Sequence, residues 1–549
     1  MSSAFMVRGK FVDIENRKIF PVEILVSEGK IVNLNQVSSA PNRYIFPGFI
    51  DSHVHIESSL LIPSEFARLA TLHGTVATVS DPHEIANVCG LEGVEFMIKN
   101  GNQTPFKFFF GAPSCVPATS FETAGAVIDS DAIATLLKRN DIHYLAEMMN
   151  WPGVLSGDEE VKKKIAWAKK LNKPVDGHAP GLTGVNAEKY IKAGMSTDHE
   201  CVYLEEARHK AKLGMKIAIR EGSAAKNFDA LIDLLDEYPD QIMFCSDDKH
   251  PDSLLEGHIN QLAARAIRKG KDLFQVLRAC CITPVKHYNL DVGLLKPNDA
   301  ADFIVVEDLI NFNVLETYIS GELVAKEGNT KISPVTCSPI NNFNTNKVKA
   351  KDFELIHEGG KAKVIQALDS QLITSTLMTE VPSLDGKVVP DLEKDILKIA
   401  VINRYQPNSK PAVALVKNFG LQNGAIGSSV AHDSHNIIVV GTSDEQMARA
   451  ANLIIENKGG LSVVNLRESF VLGLKIAGLM SDADGFVVAK DYIDIDIKAK
   501  ELGCTLLSPY MTLSFMALLV IPQIKLSDKG LFDCDFFMFT NVFGQEKGI

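Results

Sequence analysis

The sequence predicts an α/β protein: a (β/α)8 barrel inserted in a small split β domain and followed by an α+β C-terminal domain. Three observations predict it. Residues 47–290 alternate short apolar runs with amphipathic stretches, giving eight strand-like segments separated by helix-like ones, the pattern of a closed parallel barrel. Strand-and-turn texture flanks this region at 1–46 and again at 291–340, so the two flanks can complete one sheet that neither could bury alone. Residues 341–549 alternate strand-like and helix-like segments without barrel regularity. A chain of 549 residues is also too long for a single core.

Taken in order, the N-terminal flank offers strands at 5–7, 10–13, 22–26 and 29–32. The first barrel strand leads into Pro47-Gly48-Phe49-Ile50-Asp51-Ser52-His53-Val54-His55-Ile56-Glu57, apolar at its start and bounded by Pro-Gly. A helix at 64–73 follows, then strand 75–80, helix 91–99, strand 106–110 and helix 131–139. Strand 142–147 precedes the charged helix 159–171, and strand 173–177 precedes helix 186–192. Strand 195–198, helix 204–212, strand 216–220, helix 228–237 and strand 241–246 lead to helices at 253–268 and 272–280. Strands return at 302–306, 313–319 and 323–325, and the polar stretch 341–346 reads as a linker.

Composition excludes several classes. Hydrophobic content of 46% and charged content of 23% are those of an ordinary globular protein. A net charge of -12 leaves no electrostatic footprint for a nucleic-acid partner. Nine cysteines, with no Cys-x-x-Cys pair, argue against a disulfide framework and fit a reducing compartment. Residues 1–12 contain no apolar signal segment. The longest apolar run, 513–521, falls short of the roughly 20 residues that span a bilayer. A cytoplasmic protein without a membrane partner is expected.

Barrel enzymes carry their chemistry at the C-terminal ends of the strands. Strand alternation puts His53 and His55 on one face, which makes half of a metal site. The other strand ends supply Glu147, His178, His199 and Asp247. A lone histidine there would more often be structural; six metal-competent side chains at five strand ends point to a metal centre. Catalytic zinc usually takes three protein ligands and a water, so six favour two divalent ions, with Glu147 able to bridge them and a shared water ionised near neutral pH. Imidazole and carboxylate donors without thiolate suit zinc, manganese or iron, and the donor types do not choose between them; two manganese ions per chain are the expectation, with iron or zinc as alternatives. Cys245 shares the face of Asp247 and is expected to pack rather than ligate.

At this point the chain resembles a known family. PGFIDSHVHIESS, SDPHEIANVCG (80–90), DGHAPGLTG (176–184), DHEC (198–201), REGS (220–223), CSDDKHPD (245–252), SSVAHDSHNIIVVG (428–441) and GGLSVV (459–464) resemble the adenine deaminase family of the amidohydrolase superfamily, over nearly the whole chain. The resemblance implies a binuclear centre, adenine as a small-molecule substrate, its conversion to hypoxanthine and ammonia, and a place in purine salvage. It implies that Asp247 both ligates a metal and takes the proton of the attacking water, as the strand-8 aspartate does across the superfamily. Asp247 is preferred to Asp248 because it directly follows the strand serine. A second acid is needed near N1 of the base and the leaving amine. Glu84 and Glu57 are the candidates, with orientation of the ligand histidines as their alternative role. His83, Arg220, Glu221 and Ser223 are further candidates for contact with the base, a solvated loop being the alternative for the last three. The segment 431–436 is expected to cover the barrel mouth, from the same or a neighbouring subunit, with His435 or His432 near the substrate. The expected assembly is a homo-oligomer such as a dimer.

Rival readings fit less well. Cyclic-amide hydrolases usually bridge their metals with a carboxylated strand-4 lysine, and Leu145-Ala146-Glu147-Met148 has none. A mononuclear purine or cytosine deaminase leaves Glu147 without a bridging task. Deaminases built on H-x-E and P-C-x-x-C are excluded, because no P-C-x-x-C occurs. A non-catalytic scaffold would be expected to lose ligands, and this chain keeps all six.

Overall fold

A computed structural model of the chain describes residues 4–544. It opens with β1 (Phe5–Asp13), β2 (Lys18–Ser27), β3 (Lys30–Gln36) and β4 (Tyr44–Pro47). The barrel strands are β5 (Phe49–Val54), β6 (Thr75–Ser80), β7 (Lys107–Ala112), β8 (Ile142–Met148), β9 (Val175–Gly177), β10 (Thr197–Asp198), β11 (Lys216–Arg220) and β12 (Ile242–Cys245). After the barrel come β13 (Phe303–Val306), β14 (Val314–Ile319), β15 (Glu322–Lys326) and β16 (Asn329–Thr330). These last four join the first four in one eight-stranded sheet, ordered β16-β15-β14-β13-β4-β1-β2-β3. Its shared core includes Val22, Ile24, Ile45, Phe303 and Val305.

The barrel strands run parallel, β5 to β9 in one ladder and β10 to β12 in another. Ser196 N donates to Val175 O at 2.8 Å and joins the two ladders. On the other side Asp247 N donates to His53 O at 3.0 Å and His55 N to Asp247 O at 3.2 Å, closing β12 onto β5. Gly48 permits the turn into β5, since a Cβ there would lie 2.3 Å from a Val76 methyl.

One expected element starts earlier than the apolar pattern suggests. The helix after β6 spans His83–Gly101, and it is broken at Gly90, whose φ of 60° and ψ of -142° are not helical. The part read from the sequence, 91–99, is the stretch beyond this break. The turns before it carry His83 and Glu84, so Glu84 sits on a helix start rather than on the strand end. The expected helix at 228–237 is two short pieces, Phe228–Leu231 and Leu234–Glu237.

The C-terminal part is built on an eight-stranded mixed sheet with the helix Asp444–Asn457 packed on it. It seats on the barrel around the first βα loop. Ser481 N donates to Leu60 O at 2.8 Å, and Gly485 N donates to Glu65 Oε2 at 2.8 Å. Arg68 joins Glu65 at 2.5 Å to Asp484 at 2.7 Å. The apolar run 513–521 is buried apart from the half-buried Val520, as a helix end followed by turns. Among the described residues no helix is long and apolar enough to cross a membrane.

Candidate metal centre and active site

The six side chains read as ligands converge at the mouth of the barrel, each 5% exposed or less. His53 Nε2 and His55 Nε2 lie 3.2 Å apart, and Asp247 Oδ1 lies 3.6 Å from the first and 3.3 Å from the second. Asp247 turns into this position with φ of 55°, a left-handed conformation uncommon outside glycine. Glu147 spans the cluster. Its Oε1 is 3.2 Å from His55 Nε2, while its Oε2 is 2.6 Å from His178 Nδ1 and 3.3 Å from His199 Nε2. The rings of His53 and His199 stack at 3.9 Å, linking the two halves.

Burial alone would raise the carboxyls of both Glu147 and Asp247. The neighbouring His178 and the hydrogen bonds from three histidines hold Glu147 well below the usual carboxylate range. Arg220, with His53 and His55, does the same for Asp247. Four imidazoles and two anionic carboxylates facing one another are a donor set for divalent cations. Ligand atoms of His53, His55 and Asp247, and those of His53, Glu147 and His199, fall within 4.8 Å of one another. A cation shared by His53 and His55 would also satisfy ring lone pairs that otherwise oppose each other across 3.2 Å.

A second polar cluster sits beside the first. Glu84 receives His432 Nδ1 on Oε1 at 2.5 Å and His435 Nε2 on Oε2. The segment 431–436 therefore reaches the barrel mouth within one subunit. His83 Nε2 lies 3.4 Å from Glu84 and 3.8 Å from Asp433, and its Nδ1 lies 3.2 Å from Asp81. Glu57 accepts from Ile85 N at 3.1 Å on Oε1, and its buried Oε2 has no hydrogen-bond partner among the described residues. Burial pushes the Glu57 carboxyl up to about 7. Asp248 accepts a 2.5 Å hydrogen bond from Ser58 Oγ, and burial together with the neighbouring Asp247 pushes its carboxyl up to about 6.

Three residues expected at the base edge have other partners. Arg220 is turned inward onto Asp247 Oδ2 at 2.6 Å and onto Glu200 at 3.0 Å. Glu221, one residue on, points outward and pairs with Arg265 at 3.0 Å. Ser223 fixes the β12 loop, its Oγ accepting from His250 N at 2.9 Å. Strand alternation explains the split between Arg220 and Glu221. Glu200 and Asp81 escaped the sequence reading, although each lies inside a stretch quoted above. Glu200 follows His199 directly and lies 3.6 Å from it, bridging the cluster to Arg220. Asp81 anchors the backbone N–H groups of His83, at 3.1 Å, and Glu147, at 3.3 Å. Carboxylates that touch histidines are the usual companions of metal ligands, and a search around each histidine would have found them.

Comparison with known proteins agrees with this geometry. Residues 44–324 match the model of the amidohydrolase family, and residues 371–538 match the adenine deaminase C-terminal domain. A curated adenine deaminase of Salinibacter ruber is 54% identical over 99% of this chain and 100% of its own length. One from Sulfurovum sp. (strain NBC37-1) is 55% identical over 97% of this chain and 99% of its own. One from Borreliella burgdorferi is 50% identical over 98% and 99%.

Proposed function

The chain belongs to the adenine deaminase family, and from that premise we propose how its side chains carry out the reaction. That reaction is the hydrolytic deamination of adenine to hypoxanthine and ammonia. In our reading His53, His55 and Asp247 would hold one divalent cation, His178 and His199 would hold a second, and Glu147 would serve both. One observation carries this: the two oxygens of Glu147 face different histidines, His55 on one side and His178 with His199 on the other. When bound, the cations supply a water ionised near neutral pH and offset the charge that develops on attack at C6.

The remaining work falls to the chain's own groups. Asp247 is oriented from behind by Arg220 and accepts the proton of the attacking water on the oxygen that faces the histidines. Arg220 and Glu200 therefore hold the base in position rather than touching adenine. Glu84, whose two oxygens accept from His432 and His435, relays a proton drawn from those imidazoles to N1 and to the leaving amine. Glu57, with one buried oxygen open, and His83 contact the base. The segment bearing His432 and His435 closes the mouth and excludes water, which strengthens each of these polar contacts.

Around this core we read two manganese ions per chain, a role in purine salvage, and a cytoplasmic setting, which the nine free cysteines fit. We divide the chain into a split β domain (1–46 and 291–340), the barrel (47–290) and the C-terminal α+β domain (341–549). A homo-oligomer such as a dimer is supported by an apolar hairpin tip at 536–539, where Phe536 is 72% and Met538 57% exposed. The reading is tested by ammonia release from adenine, adenosine, cytosine and dihydroorotate, with protein supplied with manganese, zinc or iron. Adenine should be preferred; a clear preference for adenosine in competition would overturn it.

A further inference from the structure

A second depression, of about 310 Å³, lies behind the loops that follow β11 and β12, and none of the six clustered ligands lines it. Its walls carry Lys226, Lys249, Arg265 and Arg268 against only two acids, Glu221 and Glu256. Arg265 is already paired with Glu221 at 3.0 Å and with Asp229, which leaves Lys226, Lys249 and Arg268 as the cations facing the cavity. Lys249 is the unusual member. It is only 6% exposed, yet its ammonium has no hydrogen-bond or ion-pair partner among the described residues, and its side chain lines the cavity. A largely buried ammonium left without a protein partner is a ready place for an anion to pair. Lys210, the comparable buried lysine of the barrel, has its carboxylates in hand: Asp198 and Glu206, both at 2.7 Å.

We propose that this cavity binds a phosphate-type oxyanion, either free or as the phosphoryl group of a small phosphorylated metabolite. Lys249 would supply the most buried of the charges, and Lys226 and Arg268 the outer contacts. The volume sits at the low end of the roughly 300–1,000 Å³ of small-molecule sites, room for a phosphoryl group together with a small organic part. The site touches the catalytic loop through its backbone. Lys249 follows Asp247 and Asp248 in sequence, and Ser223 N, next to the lining residue Gly222, donates to Asp248 O at 2.8 Å.

The test is isothermal titration of the metal-loaded full chain with inorganic phosphate, with adenosine 5′-monophosphate and with adenosine. The variants are Lys249→Met, which keeps the buried stem, and the surface double substitution Lys226→Ala, Arg268→Ala. Expected is saturable binding of phosphate or of the monophosphate that weakens steeply with salt and falls at least about tenfold, or about 1.4 kcal/mol, in either variant. Tighter binding of the monophosphate assigns the phosphorylated metabolite; equal binding assigns the free anion. Equal affinities in wild type and both variants would overturn the site, because binding would then lie at the metal centre. So would the absence of heat with either phosphate at millimolar concentration, or adenosine binding as well as its monophosphate. Should Lys249→Met fail to fold, the surface double variant decides.

Discussion

Two buried polar regions meet at the barrel mouth, and they are assembled in different ways. The six-residue cluster hangs on strand ends, where hydrogen-bonded registers fix each backbone before any side chain is chosen. The Glu84 cluster depends on docking: Glu84 opens a helix, and His432 and His435 come from another domain, 348 and 351 residues away. A rigid frame positions ligands; a docked segment covers and completes them. The cluster on the frame should therefore fail by losing metal. The docked one should fail by losing rate while metal stays.

The largest effect is expected at the residue that spans the frame. Glu147→Gln removes a charge that faces three histidines, so at least one metal should be lost and turnover should nearly vanish. Elemental analysis beside an ammonia assay checks it, and two metals at a normal rate would remove Glu147 from the bridge. Asp247→Asn comes next, with a fall of roughly 10²–10⁴-fold as for loss of a general base. Asp248→Asn should be milder, since Asp248 is held by Ser58 at 2.5 Å and lacks the contacts to His53 and His55 that Asp247 makes. A reversed order would move the strand-8 role to Asp248.

For the docked region, His432→Ala combined with His435→Ala should cost about 10–100-fold in rate with metal content unchanged. Unchanged kinetics with adenine would reduce the segment to packing. Loss of metal together with rate would erase the distinction between the two regions.

This contrast also explains what was legible in the sequence. Alternating periods expose a barrel, and a barrel states where its strand ends must be, so His53, His55, Glu147, His178, His199 and Asp247 could be read together. The split sheet was legible for the same reason, because matching strand texture flanks the barrel. Side chains at the last residue of a strand and just past it are harder: alternation sends Arg220 inward and Glu221 outward, and the REGS motif does not say which way the loop turns. The helix start at His83 was hidden by Gly90, whose non-helical backbone separates a short polar turn from the apolar pattern that follows. Contact between Glu84 and His432 has no local signature at all. It follows from how one domain seats on another, which no pattern within either segment encodes.

The smallest expected effect tests that seating away from the chemistry. Asp484 does two things: its Oδ2 takes Arg68 from the barrel at 2.7 Å, and its Oδ1 caps the helix Gly485–Glu501 through Phe486 N at 3.0 Å. Asparagine caps nearly as well as aspartate, so Asp484→Asn isolates the ion pair, while Asp484→Ala removes both. Asp484 is 39% exposed on its side chain, so solvent screens the pair and its loss should cost no more than about 1 kcal/mol. Loss of the cap should add about 1 kcal/mol more. Urea midpoints of metal-loaded protein should therefore fall in the order wild type, Asp484→Asn, Asp484→Ala. Adenine turnover should stay near wild type in both, because neither change reaches Glu84 or the histidines. If Asp484→Asn instead lowered turnover as far as the His432, His435 double substitution while both metals stayed bound, the grip of Arg68 on Asp484 would be what holds the segment 431–436 over the mouth. Docking and catalysis would then be one function rather than two.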